Sequence, residues 1–266
     1  MPVNRLGARA TAIGAAALLG LAASASTAMA GGDPPPSFAR CPTGNPDVLS
    51  CMVIQSTGGY LRMNNTTVDL GDSIKIEAGL SQDANYNVTV VPPTSGSALT
   101  AKPIKIPGGL LGLDASIFGA NDVYATAKLV GTPVLNFDTY SLKLPIKIEL
   151  DNAFVGPNCQ IGSESNPIIL DTITGTTNPP PPATPMTGHP GDIQFPDPYV
   201  TEVQGNVTVD NAFAVGEANN CGWFGGYFIN PLVNLKVGLP SAAGKNATSV
   251  TANIFLKAAS DVVAGN

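Results

Sequence analysis

Histidine occurs once in this chain, at His189, and that residue sits among prolines. A histidine-ligated metal cluster has no second imidazole to draw on, and a Ser-His-Asp triad would have to take its base from a proline-rich loop. Charge is scarce as well: Asp, Glu, Lys and Arg together make up 12% of the residues, the formal net charge is −6, and arginine is confined to Arg5, Arg9, Arg40 and Arg62. An acidic chain this poor in arginine repels nucleic-acid phosphates and anionic membranes, so no nucleic-acid partner is expected. No Cys-x-x-Cys pair is present, which denies zinc its usual ligand spacing. There is no G-x-S-x-G elbow, and Gly108-Gly109-Leu110-Leu111-Gly112 lacks the Lys-Ser/Thr ending of a phosphate loop. Motif-borne catalysis is thereby removed, and no catalytic residue is assigned. A carboxylate pair of the glycosidase kind needs geometry rather than a motif and stays open. Beyond residue 30 no apolar run is long enough for a transmembrane helix.

What is present begins with an export signal. Arg5 and Arg9 precede an apolar, alanine-rich run from Ala10 to about Ala23, and Ala28-Met29-Ala30 ends the segment in a small-x-small pattern. Those three parts predict a cleavable secretory signal over residues 1–30. No twin arginine precedes the run and no cysteine stands at the cleavage point, so neither twin-arginine export nor a lipid anchor is indicated. Removing Arg5 and Arg9 leaves 11 basic against 19 acidic residues, a formal charge of −8. Residues 31–37, rich in glycine and proline, read as a flexible leader. Cys41, Cys51, Cys159 and Cys221 all follow the signal, and an even count in an oxidising compartment reads as two disulfides with three possible connectivities.

From Cys51 onward short β-favouring runs alternate with turn residues. Strands are predicted at Met52–Gln55, Tyr60–Met63, Thr67–Leu70, Ser73–Glu77, Tyr86–Val91, Val123–Val130, 141–150, Ile168–Ile173, Tyr199–Val209, Leu232–Val237 and Thr248–Leu256. Gly58-Gly59, Asn64-Asn65, Gly71-Asp72 and Asp83-Ala84-Asn85 separate the early ones, as turn formers do. The clearest strand is 141–150, where Leu142, Leu144, Ile146, Ile148 and Leu150 alternate with polar positions. Pro145 within it predicts an edge or a bulge. Leu110–Phe118 offers at most one or two helical turns between prolines and glycines. The fold class expected is all-β: an antiparallel, β-sandwich-like domain of about ten or more strands over residues 38–258. Its proline-rich stretch 177–198 reads as a crossover, or else as a linker between two smaller β domains.

The chain also repeats itself across that stretch. Asp151-Asn152-Ala153-Phe154 and Asp210-Asn211-Ala212-Phe213 each end a strand, and each is followed by a glycine, Asn-Cys, Asn-Pro and an apolar run. Two such units packed about a pseudo-twofold would bring Cys159 to Cys221, which leaves Cys41 to pair with Cys51 across a short turn-rich segment. Each DNAF reads as a strand end whose Asp and Asn bond nearby backbone and whose Phe plugs the sandwich edge. The alternative is a metal loop in which Asp151, Asp210, Glu164 and Glu217 offer the hard oxygen ligands that calcium takes, although no EF-hand pattern is present. After Cys221 comes the densest aromatic run, Trp223, Phe224, Tyr227 and Phe228. It reads either as packing for a core or loop or as a binding anchor.

FARCP at 38–42, GGLLGLD at 108–114, CQIGSESNPIILDTITGTT at 159–177 and GLPSAAGKN at 238–246 together resemble a group of secreted proteins from high-GC Gram-positive bacteria, the actinobacteria. The resemblance implies export and a shared fold. It implies no activity and carries no site residue across. The function expected is a non-catalytic extracellular or cell-surface protein, structural or binding, with an extracellular or cell-wall partner met through loops. The alternatives are a secreted carbohydrate-binding or carbohydrate-active protein, and a pore in the outer envelope, since polar/apolar alternation also suits barrels.

Overall fold

The computed structural model describes residues 34–83, 87–109, 121–136, 141–222 and 226–266. Its strands are β1 (Val48–Met63), β2 (Thr66–Asp69), β3 (Ile74–Gln82), β4 (Val88–Val91), β5 (Leu99–Ala101), β6 (Ile104–Lys105), β7 (Tyr124–Leu129) and β8 (Val134–Asn136). The second half adds β9 (Ser141–Asp151), β10 (Gln160–Ile161), β11 (Ile168–Ile173), β12 (Asp192–Asp197), β13 (Val200–Asp210), β14 (Ala218–Asn219) and β15 (Asn246–Ala258), with helices α1 (Ile229–Val237) and α2 (Ala259–Ala264). Every ladder is antiparallel, and one sheet runs β14-β10-β9-β11-β13-β15-β1-β3-β4, with β7 and β8 on the other edge of β9. β5 lies against β7 and β4 against β8, so the sheet curls until its two ends approach. The antiparallel, all-β fold expected from the alternation is the fold observed.

The curl buries one face of nearly every strand. Leu144, Ile146, Ile148 and Leu150 of β9 point inward and join Leu61, Val68, Ile76, Ile168 and Leu170 in the main core. The opposite face of β9 carries Lys143, Lys147 and Glu149, which pair outward with Asp171, Glu164 and Lys128. Met52, Ala78, Leu80 and Val90 continue the interior at the other end. There the outer face is buried too: Val48, Cys51, Val53, Val200 and Phe255 pack with Phe38, ahead of β1, and with Ala259 of α2. Cys41–Cys51 fastens this N-terminal cover. Arg40 locks it to β3, donating through Nη1 to Glu77 Oε2 (2.9 Å) and Thr100 Oγ1 and through Nη2 to the Ser97 carbonyl (2.7 Å).

Four sequence expectations are corrected. Gly58-Gly59 is not a turn: β1 runs on through it, with a bulge between Ser56 and Gly58 against β15. Gly59 has φ +111°, and a Cβ there would meet the Ser249 carbonyl oxygen at 2.1 Å, so only glycine lets the two backbones approach. Strand β9 is not an edge. It is paired on both sides, and Pro145 falls in the gap between β7 and β8, where its missing N–H breaks no ladder bond and its carbonyl accepts from Val130 N–H. Leu232–Val237 is helical within α1, not a strand. Pro231 occupies the first turn, where backbone N–H groups lack partners anyway, and Gly238 closes the helix at φ +83° with its N–H on the Asn234 carbonyl. The proline stretch 177–198 contains a strand the sequence did not suggest, β12, which includes Pro196 and pairs with β13. The stretch runs from β11 to β13 of the same sheet, held by Thr176–Thr187 and His189–Val207 bridges. The predicted turns at Asn64-Asn65 and Gly71-Asp72 are present, the former as a two-residue hairpin loop. Leu110–Phe118 lies outside the described residues.

Candidate functional site

The duplicated tetrapeptide folds in two ways. After β13, Asp210, Asn211 and Phe213 are all buried. Asp210 Oδ1 accepts the Ala212 N–H (2.8 Å) and Oδ2 the Asp171 N–H (2.7 Å), and burial pushes its carboxyl above the ordinary aspartate value. Asn211 Nδ2 donates to the Thr184 carbonyl of the proline stretch, and Phe213 enters the main core. This copy is the core plug that the sequence suggested. At the end of β9 Asp151, Ala153 and Phe154 face water and Asn152 is half-buried. Asn152 donates to the Asp122 carbonyl (2.7 Å) and accepts the Phe154 N–H on its own Oδ1 (2.7 Å), an Asx-type turn that buries Val155 and leaves Phe154 54% exposed.

Cys159 is bonded to Cys221, as the duplication implied. The repeat does not map element onto element beyond it. β10 follows its cysteine and β14 precedes its own, and the two short strands pair antiparallel, Gln160 with Asn219 and Ile161 with Ala218. Asn-Pro then opens a strand in one copy and sits in a helix in the other: Ile168, Ile169, Thr172 and Ile173 are β-branched, whereas Leu232, Leu235 and Lys236 favour helix.

Around this bridge the loops are knotted. Gly222 N–H donates to the Val155 carbonyl (2.6 Å), Cys221 N–H to Asn230 Oδ1 (2.9 Å) and Asn230 N–H to the Gly226 carbonyl (3.0 Å). Gly226, at φ +83°, turns the chain into α1, and Tyr227 and Phe228 emerge 84% and 83% exposed. With Phe154, Cys221, Gly222, Gly226 and Ile229 they line an open hollow of about 220 Å³. Trp223 and Phe224 lie outside the described residues. Sequence reasoning missed Phe154 as a surface ring and Leu235, 77% exposed. Leu235 becomes legible once 229–237 is helical, because Phe228, Pro231 and Leu235 then share one helix face. It also missed Ile193 and Phe195 on β12, both exposed.

The four proposed metal ligands are not brought to one place as a set. Asp210 is spent on backbone N–H groups, and Glu164 pairs with Lys147 at 3.1 Å. Asp151 and Glu217 are exposed. Among the described residues no three of His, Cys, Asp or Glu converge. Nor does any described helix have the length and apolarity to cross a membrane. No family model, curated protein or solved structure matches the chain.

Proposed function

We propose that this is an exported, non-catalytic extracellular or cell-surface protein, and that it meets its partner through the loop knot at Cys159–Cys221. The observation that carries the reading is the display of Phe154, Tyr227 and Phe228 on a disulfide-tied frame. Rings held out of a core on a rigid support are the usual anchors of an interface. Two disulfides and the signal-like residues 1–30 support export. A structural or binding role is supported by how carboxylates are used: Glu77 holds Arg40 and Lys75, Glu149 and Glu164 hold Lys147, and Asp210 holds backbone. The outer-envelope pore fits less well, because Lys143, Lys147 and Glu149 occupy the face of β9 that lipid would have to cover.

Co-sedimentation with isolated envelopes of a high-GC Gram-positive bacterium tests the reading. The chain is expected in the pellet, and Tyr227→Ala with Phe228→Ala is expected to shift it to the supernatant at unchanged melting temperature. Equal sedimentation of the double variant would move the contact surface elsewhere.

A further inference from the structure

We propose that Phe154, Tyr227 and Phe228 form a platform for a neutral polysaccharide chain, a ligand class that presupposes this cluster as the contact surface. Nothing in the DNAF tetrapeptide forces its ring outward, since Phe213 in the second copy is buried at 5% exposure while Phe154 stands at 54%. The outward copy is the one beside Tyr227 and Phe228, across the hollow they share. Rings presented this way offer flat apolar faces to the C–H faces of sugar rings.

Charge narrows the ligand further. Among the described residues no acidic or basic side chain lines the hollow, so a phosphate, carboxylate or ammonium group would lose its hydration there with no counter-charge to replace it. The chain leading into it carries amides. Asn220 Nδ2 donates to Asn219 Oδ1, Gln160 Nε2 donates to the same oxygen (3.0 Å), and Asn219 Nδ2 reaches the Gly162 carbonyl. This row runs along the β10–β14 pair and ends at Asn220, next in chain to Cys221 of the hollow. Gln160 and Asn220, each fixed by one of these bonds, keep further donor and acceptor positions for hydroxyls, and hydroxyls are the polar groups of a neutral glycan.

Size argues in the same direction. An aromatic side chain presents about 150–250 Å², and scaled by their exposures the three rings amount to roughly 300–550 Å². A stable protein interface takes about 800 Å² per partner, so on these three rings alone, without neighbours such as Leu235, a second copy or a folded protein would be under-supplied. A few consecutive sugars stacked on three rings would not be.

The test is retention of the exported chain on insoluble cellulose, chitin and mannan, alongside phosphatidylcholine vesicles and light scattering for self-association. The proposal expects retention on at least one of the polysaccharides, insensitive to salt. Tyr227→Ala and Phe228→Ala should each weaken it about tenfold at unchanged melting temperature, and Phe228→Trp should restore it. Binding to vesicles or self-association that depends on Tyr227 and Phe228, with no polysaccharide retained, would overturn the glycan and keep the contact surface. If every alanine variant sediments with envelopes as the parent does, both the glycan and the surface fall.

Discussion

Asp210 is the residue at which burial and titration meet. Its carboxyl is raised by desolvation, although the N–H groups of Ala212 and Asp171 work in the other direction. The folded state therefore holds the proton more tightly than the unfolded chain. Its contribution to stability is complete below the ordinary value of 3.8 and is lost as pH climbs through the raised one. Urea titrations over a pH series should show the parent losing stability relative to Asp210→Asn across that window, with a flat difference on either side. Arg40 matters through its bonds. Glu77 is 6% exposed and would keep only Lys75 without it, while the Ser97 carbonyl and Thr100 hydroxyl would lose a donor. Arg40→Ala should cost about 2–3 kcal/mol in chemical denaturation. Lys102, whose bond to Asp72 is exposed on both sides, should be replaceable by alanine with no change in midpoint. None of this was legible beforehand: the sequence names an Asp or an Arg, and only the packed neighbours decide which is buried.

Strands were legible where a period of two ran unbroken. Leu142 to Leu150 declares β9, because one face of it is buried under the curl, and Val250 and Ala252 declare the middle of β15. Boundaries and bends were not. Gly58-Gly59 has turn composition, yet fits a bulge inside a long strand because β15 continues past it, and that pairing is remote in sequence. Gly59→Ala should therefore cost about 3 kcal/mol or more, far above an ordinary surface glycine, since its Cβ has no room against Ser249. Thermal melts compared with Gly44→Ala, where nothing stands within 4 Å, isolate that effect. The segment 232–237 has the look of a strand in sequence because a short apolar run has the same composition in a buried strand and a helix. Asn-Pro before it and Gly238 after it were the available signals.

For the whole molecule, the disulfide pairing came through in the sequence because the repeat placed Cys159 and Cys221 at matching points. The different fates of the two DNAF copies did not, since they depend on which neighbour each strand end meets. Cys159–Cys221 spans 62 residues and encloses the proline stretch, whereas Cys41–Cys51 spans 10. In the chain-entropy picture these closures stabilise by about 4 and about 3 kcal/mol. Serine replacement of the first pair should cost more and should open residues 177–198 to limited proteolysis, while replacement of the second should leave that stretch resistant. The exposed rings of the candidate site lie on the frame that the longer bridge holds. The most direct measurement of the central claim is therefore hydroxyl-radical footprinting of the exported chain, free and bound to isolated envelopes. Phe154, Tyr227 and Phe228 should become protected on binding, while Ile193 and Phe195 of β12, also exposed in the free protein, should stay reactive. Protection of Ile193 and Phe195 with unchanged labelling of Phe154, Tyr227 and Phe228 would contradict that claim.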